Sequence, residues 1–162
     1  MLNNHSTFSF TYGTLSPREM LEWGIENGVS QLVLTDINNT ATAIEFVRLA
    51  TNEPGFSEHG IKPILGVDFR NGNEQQYVVL ALNNEGFAEI NRHLSHHLEN
   101  EIPFENEAPA FNNCFVIYPF TKAPKKRLAE NEFVGVHHTQ LIKLKFSAWK
   151  NQTNKLVILQ KN

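Results

Sequence analysis

The chain has 162 residues, of which 41% are hydrophobic and 19% charged, with a formal net charge of −3. This fits one globular domain or a large part of one, and the acidic balance argues against a large nucleic-acid footprint on this chain alone. A single cysteine, Cys114, can form no internal disulfide, which favours a reducing, cytoplasmic setting.

In chain order, Met1 to Asn4 reads as a short first strand and His5 to Thr14 as a polar loop. This start has neither the basic nor the apolar region of a secretory signal. Ser16-Pro17-Arg18-Glu19 predicts a helix start: Ser16 caps, Pro17 fits the first turn and Glu19 completes a capping box. Gly28 is its C-terminal stop. Gln31 to Leu34 is a short apolar strand bounded by Thr35-Asp36. Ala43, Ile44, Val47 and Ala50 recur at helical steps, so a second helix is expected over Thr40 to Thr51. A polar insertion, Asn52 to Gly60, precedes a third strand, Pro63 to Phe69. Asn71-Gly72-Asn73 is a tight-turn signal that pairs this strand antiparallel with a fourth, Gln76 to Ala81.

Glu85 to Leu98 predicts a third helix, with Phe87, Ile90, Leu94 and Leu98 inward. Glu99 to Asn112 is an acidic loop with Pro103 and Pro109. Cys114 to Tyr118 is a strand in which the cysteine is buried and inert. A short basic helix over Pro124 to Ala129, a strand Phe133 to Val136, a helix Leu141 to Trp149 and a strand Lys155 to Gln160 complete the chain. The alternation predicts an α/β fold. The longest apolar runs, about five residues, fall far below the roughly 20 that span a bilayer. An apolar strand followed only by Lys161 and Asn162 suggests a chain cut from a longer polypeptide, since such a strand is normally followed by a crossover.

The segment from Asn3-Asn4-His5-Ser6 to Tyr12-Gly13 resembles the first motif of the PHP (polymerase and histidinol phosphatase) domain, in the form at the N-terminus of bacterial DNA polymerase III alpha subunits. Gly28 to Asp36 resembles the second motif, and Gly60 to Phe69 the family's third strand. Tyr77 to Ala81 followed by Asn83 to Phe87 resembles the next strand and helix start. The likeness is close over 2–98 and loose over 99–162. It implies a distorted, seven-stranded TIM-like (β/α) barrel of the PHP type, with residues 1–162 forming a truncated PHP-like domain. It also implies a parent DNA-directed DNA polymerase of DNA replication, whose nucleotidyltransferase site lies in later domains. The implied partners are the rest of the polymerase alpha subunit, replisome proteins, and DNA through the parent polymerase, with no membrane.

The resemblance also implies a metal site of His, Asp and Glu ligands that hydrolyses phosphate esters, for which paired metals activate water and hold phosphate oxygens. The first motif is His-x-His; here Asn3 stands first and His5 second. Tyr12 replaces the next carboxylate, Ile37 replaces a histidine after Asp36, and Asp68 replaces a glutamate. His5, Asp36 and Asp68 remain as vestigial metal-ligand candidates. An amide oxygen is a poor ligand for zinc-like metals and isoleucine is none. The expectation is therefore a structural module with no catalytic residues and no cofactor. The alternative is a metal-dependent phosphoesterase or proofreading exonuclease domain holding Zn or Mn.

Elsewhere, His96-His97 reads as a solvated helix face, His137-His138 as loop histidines near a barrel mouth, and His59 and His93 as isolated. Lys122, Lys125, Lys126 and Arg127 form a small basic cluster, read as a solvated helix end, with a template-DNA contact as the sharper alternative.

Overall fold

The structure, a computed structural model, describes residues 2–9 and 11–159. Its elements are α1 (Pro17–Glu26), β1 (Gln31–Ile37), α2 (Ala43–Asn52), β2 (Lys62–Asn71), β3 (Glu74–Ala81), α3 (Asn84–Glu99), β4 (Cys114–Pro119), β5 (Glu132–Val136), α4 (Leu141–Lys145) and β6 (Leu156–Ile158). Together they make a mixed α/β fold around one curled, six-stranded half-barrel sheet, in the order β1-β2-β3-β4-β5-β6. β1 and β2 run parallel, β3 runs antiparallel to both of its neighbours, and β4, β5 and β6 are mutually parallel.

Local chemistry sets the boundaries. Ser16 Oγ accepts from Glu19 N while Glu19 Oε2 accepts from Ser16 N at 2.7 Å, so both halves of the capping box start α1. Asn83 Oδ1 caps α3 through Gly86 N at 2.9 Å. The Asn71-Gly72-Asn73 turn closes the β2–β3 hairpin, with Gly72 at φ 59°.

Side chains alternate across the strands. The outer face packs under the helices in two groups. Leu32 and Leu34 meet Met20, Leu21, Phe46 and Leu49 of α1 and α2. Val67, Phe69, Tyr77 and Val79 meet Ile90 and Leu94 of α3. On the inner face Val33, Val78, Leu80, Ile117 and Leu159 form a third buried cluster, with Ile64, Phe133 and Val157 packed against it. Each strand thus contributes to a concave apolar floor whose rim lies at the C-terminal ends of the parallel strands.

Several expectations are corrected. Leu2 to Asn4 is no strand, and Met1 lies outside the described residues. Asn4 does pair with β1, but side chains take over the ladder: Asn4 O accepts from Thr35 N at 2.8 Å, whereas Asn4 N donates to Thr35 Oγ1 and Asn4 Nδ2 to Val33 O. No helix forms at Pro124 to Ala129; a 3-10 turn occupies Phe120–Lys122 instead. Pro124 and Leu128 are buried while Lys125, Lys126 and Arg127 between them stay exposed, and the stretch runs irregular. The helix expected from Leu141 to Trp149 breaks after Lys145. Ser147 Oγ accepts from Trp149 N and starts a separate 3-10 turn, Ala148–Asn151. The last strand is shorter than expected, and Gln160 lies outside the described residues.

Candidate functional site

Residues 5–9 and 11–15 lie against the C-terminal ends of β1 and β2. Ser6 bridges to Leu15, and Gly13 passes so close to the Ser6 carbonyl that a Cβ there would sit 1.7 Å from its oxygen. The loop closes on itself only because that position has no side chain.

Asp68 anchors the inner face of this mouth. Its Oδ2 accepts from His5 Nε2 at 2.9 Å, from Arg70 Nη2 at 2.8 Å and Nε at 3.1 Å, and from Asn3 Nδ2 at 3.3 Å; its Oδ1 accepts from Gln75 Nε2 at 2.9 Å. Burial alone would raise its pKa, but the bonds from His5 and Arg70, with the guanidinium charge, outweigh burial and hold it below the ordinary aspartate value. Arg70 in turn lies over the Tyr12 ring, its Cζ 4.3 Å from the centroid. The Tyr12 hydroxyl reaches Asn73 Oδ1 at 3.4 Å.

Asp36 is not part of this group. The β1–β2 register pairs Ile37 with Asp68 and Asp36 with Val67, so Asp36 shares the outer, helix-covered face. There its Oδ1 accepts from Ser6 N and Ser9 Oγ, each at 2.7 Å, and its Oδ2 from Ser6 Oγ at 2.7 Å and Thr42 Oγ1 at 2.6 Å. This carboxylate ties the loop, β1 and the start of α2 together. Of the three ligand candidates, the structure therefore joins His5 to Asp68 and holds Asp36 apart. Ile37 presents its side chain on the face of Asp68, where a ligand would be useful, and supplies none.

Arg70 is the residue that sequence reasoning missed. Its signal is its spacing: two residues after Asp68 on one strand puts both on the same face. A dication beside Asp68 Oδ2 would meet that guanidinium. At about 4 Å and an effective dielectric near 20, the repulsion is roughly 8 kcal/mol. The donors that remain, one imidazole, one amide and one shared carboxylate, do not fit a pair of zinc-like ions.

The mouth opens into a cleft of about 540 Å³, lined among others by Asn3, Tyr12, Arg70, Gln75, Lys122 and His137. His137 thus reaches the mouth, and its side chain caps the following turn through Thr139 N. The basic cluster is split. Lys122 Nζ is bound to Gln76 Oε1 at 2.7 Å and Glu74 Oε1 at 2.8 Å, whereas Lys126 pairs with Glu107 at 2.8 Å. His97 is buried rather than solvated, and it adjoins His93, whose ring burial pushes down to about 4, with His97 adding to the effect. Cys114 is buried, its Sγ 3.3 Å from the Gly86 carbonyl, and burial pushes its thiol up to about 12, an inert group.

The PHP domain profile matches residues 2–151. The chain belongs to the PHP domain family. Its curated relatives include an error-prone DNA polymerase of Symbiobacterium thermophilum, 33% identical over 91 residues, and DNA polymerase III alpha subunits of Ureaplasma parvum, 32% over 89 residues, and Buchnera aphidicola, 28% over 95 residues. These matches cover 56%, 55% and 55% of this chain and 8% of each relative. Among solved structures, an amidohydrolase from Chromobacterium violaceum with bound sulfate and no metal aligns with a TM-score of 0.40 at 24% identity, over 64% of this chain and 39% of that one. No helix among the described residues is long and apolar enough to cross a membrane.

Proposed function

We propose that this PHP domain is a structural module of a replicative DNA polymerase III alpha subunit, cytoplasmic, with a degenerate metal site at its mouth. The observation that carries the reading is the ion pair of Arg70 with Asp68 at 2.8 Å, in a buried position where the family's chemistry calls for a metal. A fixed guanidinium supplies the positive charge that the carboxylate needs, and the apolar floor and capped helices supply a rigid body. Polymerase activity, replisome contacts and DNA contacts belong, on this reading, to the parts of the relatives beyond the 8% that this chain matches.

The test is hydrolysis. The chain is stripped with chelator, supplied with Mn²⁺ or Zn²⁺, and assayed on a generic phosphomonoester and on the 3′ end of single-stranded DNA. No turnover above buffer is expected. Metal-dependent turnover that disappears in His5→Ala establishes the phosphoesterase or exonuclease reading in its place.

A further inference from the structure

We infer that His93, His97 and Glu105 form a binding site for one divalent transition-metal ion, on the helix-covered side of the sheet and separate from the mouth. One ring nitrogen of each histidine and one Glu105 carboxylate oxygen all lie within 4.8 Å of one another. α3 sets the two histidines four residues apart, which places them on one face a turn apart. Their ring centroids are 4.5 Å apart. The third donor comes from the loop after α3, and that loop is held in place. Asn71 of β2 clamps Phe104 by two bonds, Nδ2 to Phe104 O at 2.8 Å and Phe104 N to Oδ1 at 2.9 Å. Ile102 N also donates to His97 O at 2.9 Å. Glu105 follows directly on this clamp.

The hydrogen-bond partners of the two rings leave lone pairs that an ion can use. His97 Nδ1 lies 3.0 Å from the Ile102 carbonyl. A carbonyl only accepts, so Nδ1 carries the hydrogen and the lone pair of the neutral ring is on Nε2. Nε2 faces Glu105 Oε2 at 3.5 Å. A cation placed between them would be shared by both donors. The convergence of a third donor, His93, favours the cation. In the tautomer that donates Nε2–H to the Tyr77 hydroxyl, 2.9 Å away, His93 has its lone pair on Nδ1. Histidine ligands held by a carbonyl or hydroxyl through their other nitrogen are the usual outer support of a metal site.

Two imidazoles and one carboxylate suit zinc, cobalt or nickel rather than calcium or magnesium. Donors around such an ion stand roughly 3.4 Å apart in a tetrahedron, so the widest spacing must close by up to about 1.4 Å. Glu105, with its side chain 62% exposed, has the freedom to supply that movement and leaves a fourth position to water. The Phe69, Phe104 and Phe111 rings, 5.2, 5.8 and 5.6 Å from that of His93, enclose the inner side. A bound ion would cross-link α3 to the loop.

The experiment titrates the chelator-stripped 162-residue chain with Co²⁺ and follows its visible absorption, then adds Zn²⁺ as competitor. One equivalent of Co²⁺ is expected to give the intense bands of a low-coordinate site, which Zn²⁺ abolishes. Glu105→Gln, at an exposed position that keeps the fold, and His93→Gln should each weaken binding more than about tenfold. Exposed His96→Gln should not. Circular dichroism verifies folding of each variant. Absence of the bands at millimolar Co²⁺, or binding unchanged in Glu105→Gln, overturns the assignment. Loss of the bands in a folded His5→Ala variant would place the ion at the mouth and overturn it equally.

Discussion

Replacing Arg70 with leucine removes the guanidinium paired with Asp68 at the mouth. The Asp68 side chain is fully buried and that of Arg70 is 10% exposed. Deleting one partner of such a pair costs about 3–5 kcal/mol, because the other charge stays buried. His5, Asn3 and Gln75 still bond Asp68, which puts the cost at the low end, about 3 kcal/mol. For a domain of this size each kcal/mol moves the melting temperature by roughly 2–4 °C, so a fall of about 6–12 °C is expected. Thermal and urea unfolding at neutral pH measure it. The double variant Arg70→Leu with Asp68→Leu should recover part of the loss, since no buried charge is then left unpaired. A single-variant shift of less than about 2 °C, or a double variant less stable than the sum of both singles, would refute the view that the guanidinium holds the mouth together.

Asp36→Ala strands the Ser6, Ser9 and Thr42 hydroxyls at once. At about 1–3 kcal/mol for each hydrogen bond to a charged group, partly recovered by water, we expect at least about 3 kcal/mol in urea unfolding; a loss below 1 kcal/mol would contradict this reading. The Asp68 carboxyl is more acidic folded than unfolded, so its stabilisation is complete above about pH 4 and disappears as the pH falls through the lower, folded-state value. Urea midpoints between pH 6 and 3 should therefore fall less steeply at the acid end in Asp68→Asn than in the native chain. A Cβ at Gly86 would lie 2.0 Å from the Asn113 carbonyl oxygen and 3.2 Å from Cys114 Sγ, so Gly86→Ala should cost about 1–3 kcal/mol by pushing α3 off the sheet, read by thermal unfolding.

Much of the fold was legible because local signals agreed with one another. The Ser16–Glu19 box, the Asn71-Gly72-Asn73 turn and the apolar spacing of Ile90 and Leu94 each named an element that formed. The stretch after Leu98 was harder to read. Its turns depend on particular caps, such as Ser147. At the site, the family resemblance grouped His5, Asp36 and Asp68 as ligand candidates, and the contact of His5 with Asp68 agreed with that grouping. The placement of Asp36 did not, because β1 is buried on both faces and its residue types give no sign of which side is inward. The His93–His97 spacing was visible in the sequence, but its third member comes from a loop whose path is fixed by Asn71, far away along the chain.

The carboxylate of Asp36 also governs how this end of the molecule comes apart. Loop, strand and helix meet at one acceptor, so none can swing free while the other two stay docked. Their amide hydrogens should exchange with solvent at one common rate, as a single latch that is either shut or open.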